Sequence, residues 1–385
     1  MTWVASDLVR SRGSKMVIDR RRKWAGAALV LIVTGVILAG CEGRRKEPVG
    51  TEDMTDVAKG QGTAGRLSVA TTIFPYYDFV RQIAGDKVEL RLVVPAGMDS
   101  HSFEPTPADM IHIQEADLFV YNGGEMERWV EEVLESVGDP GMRVVCMMDS
   151  VDVLEEEVVE GMEDDPHGHH DHGGDGAVPI HGEHDGYVRA DGGHDGQERY
   201  APGQLHEVEY DEHIWTSPVN AMKIVERICQ ALEEADPENG AFYRERAGAY
   251  IQELKGLDED FRQVVEDGRW DMIIVGDRFP FRYLAESYGL QYRAAFAGCS
   301  GDTEPSARTI AYLIGQVEER QLPAVFYLEL SSRRVAQIIG EETGAKTLLL
   351  HSCHNVTRRE FEEGVTYLKL MEQNVEALRV GLGAE

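Results

Sequence analysis

Apolar residues along the chain alternate between two spacings, one typical of strands and one typical of helices. Short apolar runs predict strands at 67–70, 88–94, 118–121, 144–147, 272–275, 292–296, 324–328 and 347–350. Helical spacing predicts helices at 77–84, from 107, at 125–137, 281–288 and 306–320, from 333 and from 366. A longer helical pattern spans 218–265 and is broken near 235–238. Strands that alternate with helices form parallel sheets covered by helices. We therefore predict an α/β fold of two lobes, each with a mainly parallel sheet flanked by helices, joined by a long spine helix.

The apolar pattern disappears between 158 and 210. Gly, Asp, Glu and His dominate this segment, which lacks the apolar residues needed to pack into a fold. We expect a disordered, acidic, histidine-rich loop. Its histidines are His167, His169, His170, His172, His181, His184, His194 and His206, of which the first six are candidate auxiliary metal ligands. Two interpretations stay open, a low-affinity zinc collector and a solvated spacer, and the first is favoured because packing does not explain so many histidines.

The N-terminal segment has the layout of a signal peptide. Basic residues at 20–23 precede an apolar run at 24–38, which is shorter than the roughly 20 residues that a helix needs to cross a bilayer. The run ends in Leu-Ala-Gly-Cys at 38–41, which resembles the lipobox of bacterial lipoproteins and implies a lipid on Cys41. The alternative is an ordinary signal peptide with an incidental cysteine, and Met16 could be the true start.

Charge narrows the classes of partner. The formal net charge is -31, from 69 acidic and 38 basic residues. Nucleic-acid binding requires clustered Lys and Arg to contact phosphates, so a nucleic-acid partner is not expected. The composition, 42% hydrophobic and 28% charged, is that of a chain that buries a core and stays soluble.

Three histidines outside the loop stand close to predicted strand ends or helix starts. His101 follows the strand ending at 94, His213 precedes the spine helix, and His351 follows the strand ending at 350. In open α/β sheets ligands bind beyond the carboxyl ends of strands, and imidazole nitrogens in a tetrahedron suit zinc. His112 lies within a helical pattern, so we interpret it as an ordinary helix residue.

The segment at 95–107, Pro-Ala-Gly-Met-Asp-Ser-His-Ser-Phe-Glu-Pro-Thr-Pro, resembles the first ligand loop of the zinc and manganese family of ABC-importer solute-binding receptors. Ser100 stands where that family usually has Pro. Asp-Glu-His-Ile-Trp at 211–215, followed by Pro218, is similar to the family's second ligand motif. An acidic, histidine-rich loop before that motif is typical of the zinc-specific members.

The resemblance implies a metal site between the lobes, with His101 and His213 as ligands. The family places a His or Glu ligand in the turn where this chain has Asp277, which could ligate the metal or pair with Arg278 or Arg282. The family's terminal Asp ligand falls at His351, and an imidazole there would favour zinc.

Several carboxylates and cysteines remain as alternatives in the carboxyl lobe. Glu329, Cys353 or water could supply the fourth ligand in place of Asp277. Glu304 and Glu329 are reserve carboxylates near strand ends, and we interpret each as a helix cap or a partner in a hydrogen bond within the lobe. Cys146 and Cys229 have no assigned role. For Cys299 and Cys353 a disulfide is the leading hypothesis, followed by thiolate ligation and free thiols, because both lie in loops after strands and outside the cell disulfides persist.

We therefore expect a receptor, not an enzyme, that binds zinc at the outer face of the cytoplasmic membrane through its lipid anchor. It would act as a monomer and deliver the ion to an ABC permease and its ATPase. A manganese receptor and a lipoprotein adhesin are the alternatives; a zinc hydrolase is disfavoured because the chain lacks the His-Glu-x-x-His and Gly-x-Ser-x-Gly motifs. The expected organisation is signal peptide 1–40, tether 41–65, amino-terminal lobe 66–157, loop 158–210, second ligand motif and spine 211–265, and carboxyl-terminal lobe 266–385.

Overall fold

The computed structural model describes residues 65–137, 141–162, 209–300 and 304–384. These residues belong to one compact unit, Gly62–Glu385. The predicted signal peptide, Cys41, nearly all of the tether and the histidines of the predicted loop lie outside the described residues. None of the helices in the described part is long and apolar enough to cross a membrane.

The first sheet has four parallel strands in the order β2-β1-β3-β4. The strands are β1 (Leu67–Thr71), β2 (Val88–Leu92), β3 (Leu118–Tyr121) and β4 (Arg143–Cys146). Helices α1 (Phe74–Ala84), α2 (Pro107–Gln114) and α3 (Arg128–Val137) connect them. The central strands β1 and β3 are mostly buried. Because the strands are parallel, the carboxyl ends of β1, β2 and β3 meet at one edge of the sheet.

The second sheet repeats this plan in the order β6-β5-β7-β8, again with every described pairing parallel. Its strands are β5 (Met272–Phe279), β6 (Gln291–Ala297), β7 (Ala324–Tyr327) and β8 (Lys346–Leu349). Its helices are α6 (Arg282–Tyr288), α7 (Ala307–Arg320), α8 (Arg334–Thr343), α9 (Arg358–Glu362) and α10 (Tyr367–Gly381).

The spine consists of two helices, α4 (Pro218–Ala235) and α5 (Gly240–Glu266). Ser217 caps α4 by accepting a hydrogen bond from the backbone of Asn220. The break comes at Pro237, which begins a short 3₁₀ turn, and Asp236 secures it by accepting hydrogen bonds from Tyr243 and Asn239. At about 1.5 Å per residue, α5 with its 27 residues is about 40 Å long, and α1, α4 and α10 all pack against it.

The predicted fold class is confirmed, since the chain forms two parallel sheets flanked by helices with a long helical spine between them. The break in the spine also lies where the pattern placed it. One difference is that Val158 to Met162, which we assigned to the loop, are part of the described fold: Met162 is buried, and its backbone N–H donates to Val159. The three apolar residues of this stretch, Val158, Val159 and Met162, are too few to show a periodicity. The apolar pattern therefore did not predict that the stretch belongs to the fold.

A second difference changes the site. Strand β5 runs to Phe279 and not to 275, with a register shift between Val275 and Arg278. A Cβ on Gly276 would lie 2.7 Å from the backbone nitrogen of Ala336, so only glycine allows α8 to approach the strand this closely. The irregular end of β5 brings Asp277 and Arg278 to the wall of the cavity described below.

Candidate metal centre

Three histidines meet between the sheets. One ring nitrogen of each of His101, His213 and His354 lies within 4.8 Å of the others, and this is the one such group of His, Cys, Asp and Glu among the residues that the structure describes. The ring centroids are 6.0 Å apart for His101 and His213, 5.4 Å for His101 and His354, and 5.6 Å for His213 and His354. Nitrogens at this separation can converge on one ion.

His101 lies in a short 3₁₀ turn, Ser100–Ser102, in the loop that follows β2. Asp99 caps this turn by accepting a hydrogen bond from the backbone N–H of His101, at 3.1 Å. Burial, with the charges of His213 and Arg278, lowers the pKa of His101 to about 3, although Asp99 opposes the shift. The ring is therefore neutral at physiological pH, which is the form that binds metal.

His213 immediately precedes the 3₁₀ turn Ile214–Thr216 that leads into α4. Asp211 accepts the backbone N–H of His213 at 2.8 Å and lies 3.3 Å from its Nδ1. A carboxylate at Nδ1 orients the ring and leaves Nε2 to face a metal. Burial lowers the pKa of His213, but the charge of Asp211 and its hydrogen bond outweigh burial, so the net pKa is raised.

The loop that holds His213 is anchored to the residues after β3. The carboxyl group of Glu212 accepts hydrogen bonds from the backbone N–H groups of Glu125 and Met126. Gly124 has φ +84, and a Cβ there would lie 2.4 Å from Cδ of Glu212, so the turn requires glycine. Burial raises the pKa of Glu212 to about 8.

His354 comes from the loop after β8, in the second lobe. Its Nε2 lies 2.6 Å from Oγ of Ser100, and its ring packs on Trp215 with centroids 5.0 Å apart. The Oγ of Ser352 accepts the backbone N–H of His354 at 3.2 Å. Burial, with the charges of His101, His213 and Arg278, holds the pKa of His354 well below its ordinary value, so this ring is also neutral.

His351, which we predicted as the third imidazole, does not lie in the group; His354 does. The Nδ1 of His351 accepts the backbone N–H of Cys353 at 2.9 Å, and its backbone exchanges two hydrogen bonds with the side chain of Asn374. Cys353 has φ 61, in the left-handed region. The chain therefore reverses after His351, and the residue three positions later enters the cavity.

The histidines line a cavity of about 110 Å³ between the two sheets. Asp277 and Glu329 are on its wall, but neither belongs to the close group. The Oδ1 of Asp277 accepts the backbone N–H of Arg278 at 2.9 Å, and burial raises its pKa against the effect of Ser331 and Arg278. Glu329 accepts hydrogen bonds from the backbone N–H and the hydroxyl of Ser352.

Two further residues stay outside the cavity. His112 is in α2 and Glu304 is exposed, and neither lines it. The position of His112 agrees with our interpretation of it as a helix residue. The helix-capping role that we considered for Glu304 is wrong for α7, because the side chain of Ser306 caps that helix.

The predicted disulfide between Cys299 and Cys353 is not formed, and all four cysteines of the described residues are free thiols. The two thiols have different surroundings. Cys299 is held by a hydrogen bond from its backbone to Glu156, whereas Cys353 is fully buried beside the carbonyl of His351. Burial raises the pKa of both thiols well above the ordinary value, and neither sulfur belongs to the close group of possible metal ligands.

Comparison with known proteins shows the family of the chain. The family model described as zinc-uptake complex component A, periplasmic, matches residues 69–381. The high-affinity zinc uptake system protein ZnuA of Bacillus subtilis is 32% identical over 94% of this chain and 98% of its own length. The zinc-binding lipoprotein AdcA of Streptococcus pneumoniae is 30% identical over 82% of this chain, which spans 56% of that relative.

The crystal structure of the Zn(II)-bound ZnuA-like domain of Streptococcus pneumoniae AdcA has the same fold, with a TM-score of 0.62 and 27% identity over 83% of this chain and 99% of that domain. A family match over most of the chain and a full-length relative at this identity confirm the resemblance seen in the two ligand motifs. The chain therefore belongs to the zinc-uptake complex component A family, a family of solute-binding receptors and not of enzymes.

Proposed function

We propose that the chain is an extracytoplasmic zinc receptor that hands its ion to an ABC-type importer. The observation that carries this proposal is the convergence of His101, His213 and His354, whose ring nitrogens lie within 4.8 Å of one another between two sheets. Zinc is the cargo of such a site, not a resident cofactor. The names of the relatives, a zinc uptake protein and a zinc-binding lipoprotein, support the same ion.

The ligand chemistry favours zinc over manganese. Three imidazole nitrogens make a borderline-soft site that suits zinc, whereas manganese prefers more carboxylate and water oxygen. Asp277 and water are both candidates for the fourth position, because Asp277 lies on the cavity wall. Structural zinc sites are closed by four protein ligands, such as four cysteines. A receptor has to release its ion, so a site with one open or exchangeable position suits it better.

The origin of the ligands couples zinc to the arrangement of the lobes. His101 and His213 come from loops of the first lobe and from the start of the spine, and His354 from the loop after β8. An ion held by all three binds both lobes at once, so its loss removes a bridge between them. A permease could recognise such a difference between the loaded and the empty receptor.

The attachment and the organisation of the chain are part of the proposal. A lipid on Cys41 would hold the protein at the outer face of the membrane, and the histidine-rich loop would collect zinc near the cavity. Both rest on the sequence. Replacing Cys41 with Ser should move the protein from the membrane fraction to the soluble extracytoplasmic fraction; retention in the membrane would contradict the anchor.

The metal itself is tested by competition. Protein purified without chelator should contain zinc, and manganese in large excess should not displace it. His101→Ala should abolish high-affinity zinc binding, and His112→Ala is the matched control because His112 lies in α2, away from the cavity. Preferential binding of manganese, or zinc binding that survives His101→Ala, would contradict the proposed receptor site.

A further inference from the structure

The loop that carries His101 contacts the second lobe at its base, at Ser100 and at Asp99, and these contacts differ in strength. Its base is fixed by neutral hydrogen bonds: Asn355 donates to the carbonyls of Pro95 and Met98 at 2.9 and 2.8 Å, and the backbone N–H of Gly97 donates to Val356 at 2.7 Å. Asn355 and Val356 are buried. Buried hydrogen bonds of this kind are costly to break.

The tip of the loop makes two contacts with the second lobe: Oγ of Ser100 lies 2.6 Å from Nε2 of His354, and Asp99 forms an ion pair. Nη2 of Arg278, at the end of β5, lies 3.1 Å from Oδ2 of Asp99. The other oxygen of the same carboxylate accepts the backbone N–H of His101. Asp99 therefore joins a ligand of the first lobe to a cation of the second.

This ion pair lies where the cavity meets solvent. Asp99 and Arg278 both line the cavity, and their side chains are 45% and 16% exposed. A partly exposed pair is weaker than the buried hydrogen bonds at the base, and salt screens it. The ion pair is thus the weakest of these contacts, and it can break while the buried hydrogen bonds at the base and at Ser100 still hold the loop.

The turn at the end of β5 is also where the family resemblance places a metal ligand. The guanidinium of Arg278 cannot bind a metal, because it stays protonated and offers only donors. In this chain the turn therefore contributes a contact to the ligand loop in addition to, or in place of, a metal bond.

We propose that Arg278 is a positioning residue that, through Asp99, holds His101 in place and latches the cavity over the bound ion. This inference rests on the proposed zinc site. The latch closes when the pair forms and opens when it breaks, so it sets the rate at which zinc leaves.

The direction in which Arg278→Gln changes zinc affinity distinguishes this positioning role from a simple electrostatic effect on the ion. If Arg278 only repelled a nearby divalent cation, Arg278→Gln would tighten zinc binding. If it latches the loop, Arg278→Gln should weaken zinc binding about twofold to fivefold and speed zinc release by a similar factor, a range set by partly exposed ion pairs. Zinc release into excess chelator, followed by stopped flow, measures the rate.

Three further variants complete the experiment. Arg278→Lys keeps the charge and should restore part of the slow release, and raising the salt should speed release from the parent but not from Arg278→Gln. The double variant Asp99→Asn/Arg278→Gln should lose less zinc-binding free energy than the sum of the losses in the two single variants. Arg334→Gln is the control, because Arg334 is an exposed cation of the same lobe that does not line the cavity.

The outcomes are distinguishable. Tighter zinc binding in Arg278→Gln, unchanged release, or additive effects in the double variant would each overturn the latch. Those results would leave the receptor site standing as long as His101→Ala still abolished zinc binding. If His101→Ala bound zinc normally, the proposed site itself would fail, whatever the release rates.

Discussion

The ligand loops of the two lobes hold their histidines by the same turn but with different side chains. Asp99 and Asp211 each stand two residues before a histidine and accept its backbone N–H, at 3.1 and 2.8 Å. In the second lobe Ser352 does this for His354, at 3.2 Å. Such turns are a common use of Asp and Ser side chains in loops. A side-chain acceptor two residues earlier thus marks all three histidines of the group.

The difference between the loops lies in what surrounds the rings. Asp211 reaches the ring of His213 as well as its backbone, and the pKa of His213 is raised. His354 has a hydroxyl and a tryptophan as ring neighbours, and its pKa is lowered. The ring of His213 therefore has a carboxylate partner, whereas the ring of His354 is neutral and has none.

The largest expected effect is the difference in zinc affinity between the His354→Ala and His351→Ala variants. His354→Ala removes a ligand and should weaken zinc binding by more than the ~10–100-fold that loss of a partner behind a ligand costs. His351→Ala should leave zinc affinity within a few-fold of the parent but lower stability by about 1–3 kcal/mol, because the buried N–H of Cys353 loses its acceptor.

Chelator competition measures the affinities, and thermal unfolding of the metal-free proteins measures the stabilities. The opposite pattern would be loss of zinc binding in His351→Ala and normal binding in His354→Ala. That result would make His351 the second-lobe ligand, as its position in the sequence suggested, and would contradict the group of His101, His213 and His354.

The fold was more predictable than the second-lobe histidine of the group. Apolar runs located each strand of both sheets within a few residues, because a buried parallel strand leaves a continuous apolar signature. The loop after β8 left no such signal. Its path depends on Cys353 in a left-handed conformation, which is uncommon for residues other than glycine, so sequence spacing selected His351.

The two first-lobe histidines of the group were accessible from sequence because each lies in a short motif with its own capping aspartate. His354 follows Ser352 by the same spacing, and this was the available signal for choosing it over His351, which follows Leu349. By contrast, the cross-lobe partner of Asp99 is far away in the chain, at Arg278, and only the folded arrangement reveals it.

The second largest effect concerns pH and Asp211. His101 and His354 have lowered pKa values and stay neutral, whereas the raised pKa of His213 makes it the ring that protons occupy first. Zinc binding should therefore release about one proton as pH falls below the pKa of His213, and affinity should weaken in that range. Measuring zinc affinity at several pH values gives this slope; a slope near zero would contradict it.

Asp211→Asn should weaken zinc binding by ~10–100-fold at neutral pH, because the ring of His213 loses its carboxylate partner. The substitution should also lower the pKa of His213, so protons compete with zinc less in the variant than in the parent. The difference in zinc affinity between the two proteins should therefore narrow as the pH falls. Asp258→Asn removes the same charge from α5, outside the cavity lining, and serves as the control.

Asp277→Asn tests the fourth position. The carboxylate of Asp277 is already engaged by the backbone of Arg278 and lies outside the close group, so we expect water to complete the tetrahedron and the affinity to fall only a few-fold. Chelator competition measures the zinc affinity of Asp277→Asn, and His354→Ala measured in the same way shows how large the loss of a ligand is. A loss as large as that of the histidine variant would make Asp277 a ligand.

The smallest effect should come from Ser352, the acceptor that distinguishes the second-lobe loop. Ser352→Ala removes the hydroxyl that accepts the N–H of His354 and donates to Glu329, whereas the carbonyl of Ser352 still accepts the indole N–H of Trp215. Because the carbonyl bond and the packing on Trp215 still hold the loop, zinc affinity should fall only about two- to fivefold, which corresponds to one neutral hydrogen bond. Ser331→Ala is the matched control, since Ser331 lines the same cavity on the β7 side and contacts Asp277 but none of the three histidines in the described contacts. Equal losses in the two variants would mean that the hydroxyl of Ser352 does not orient His354, and that the turn shared by the three loops does not contribute to metal binding in the second lobe.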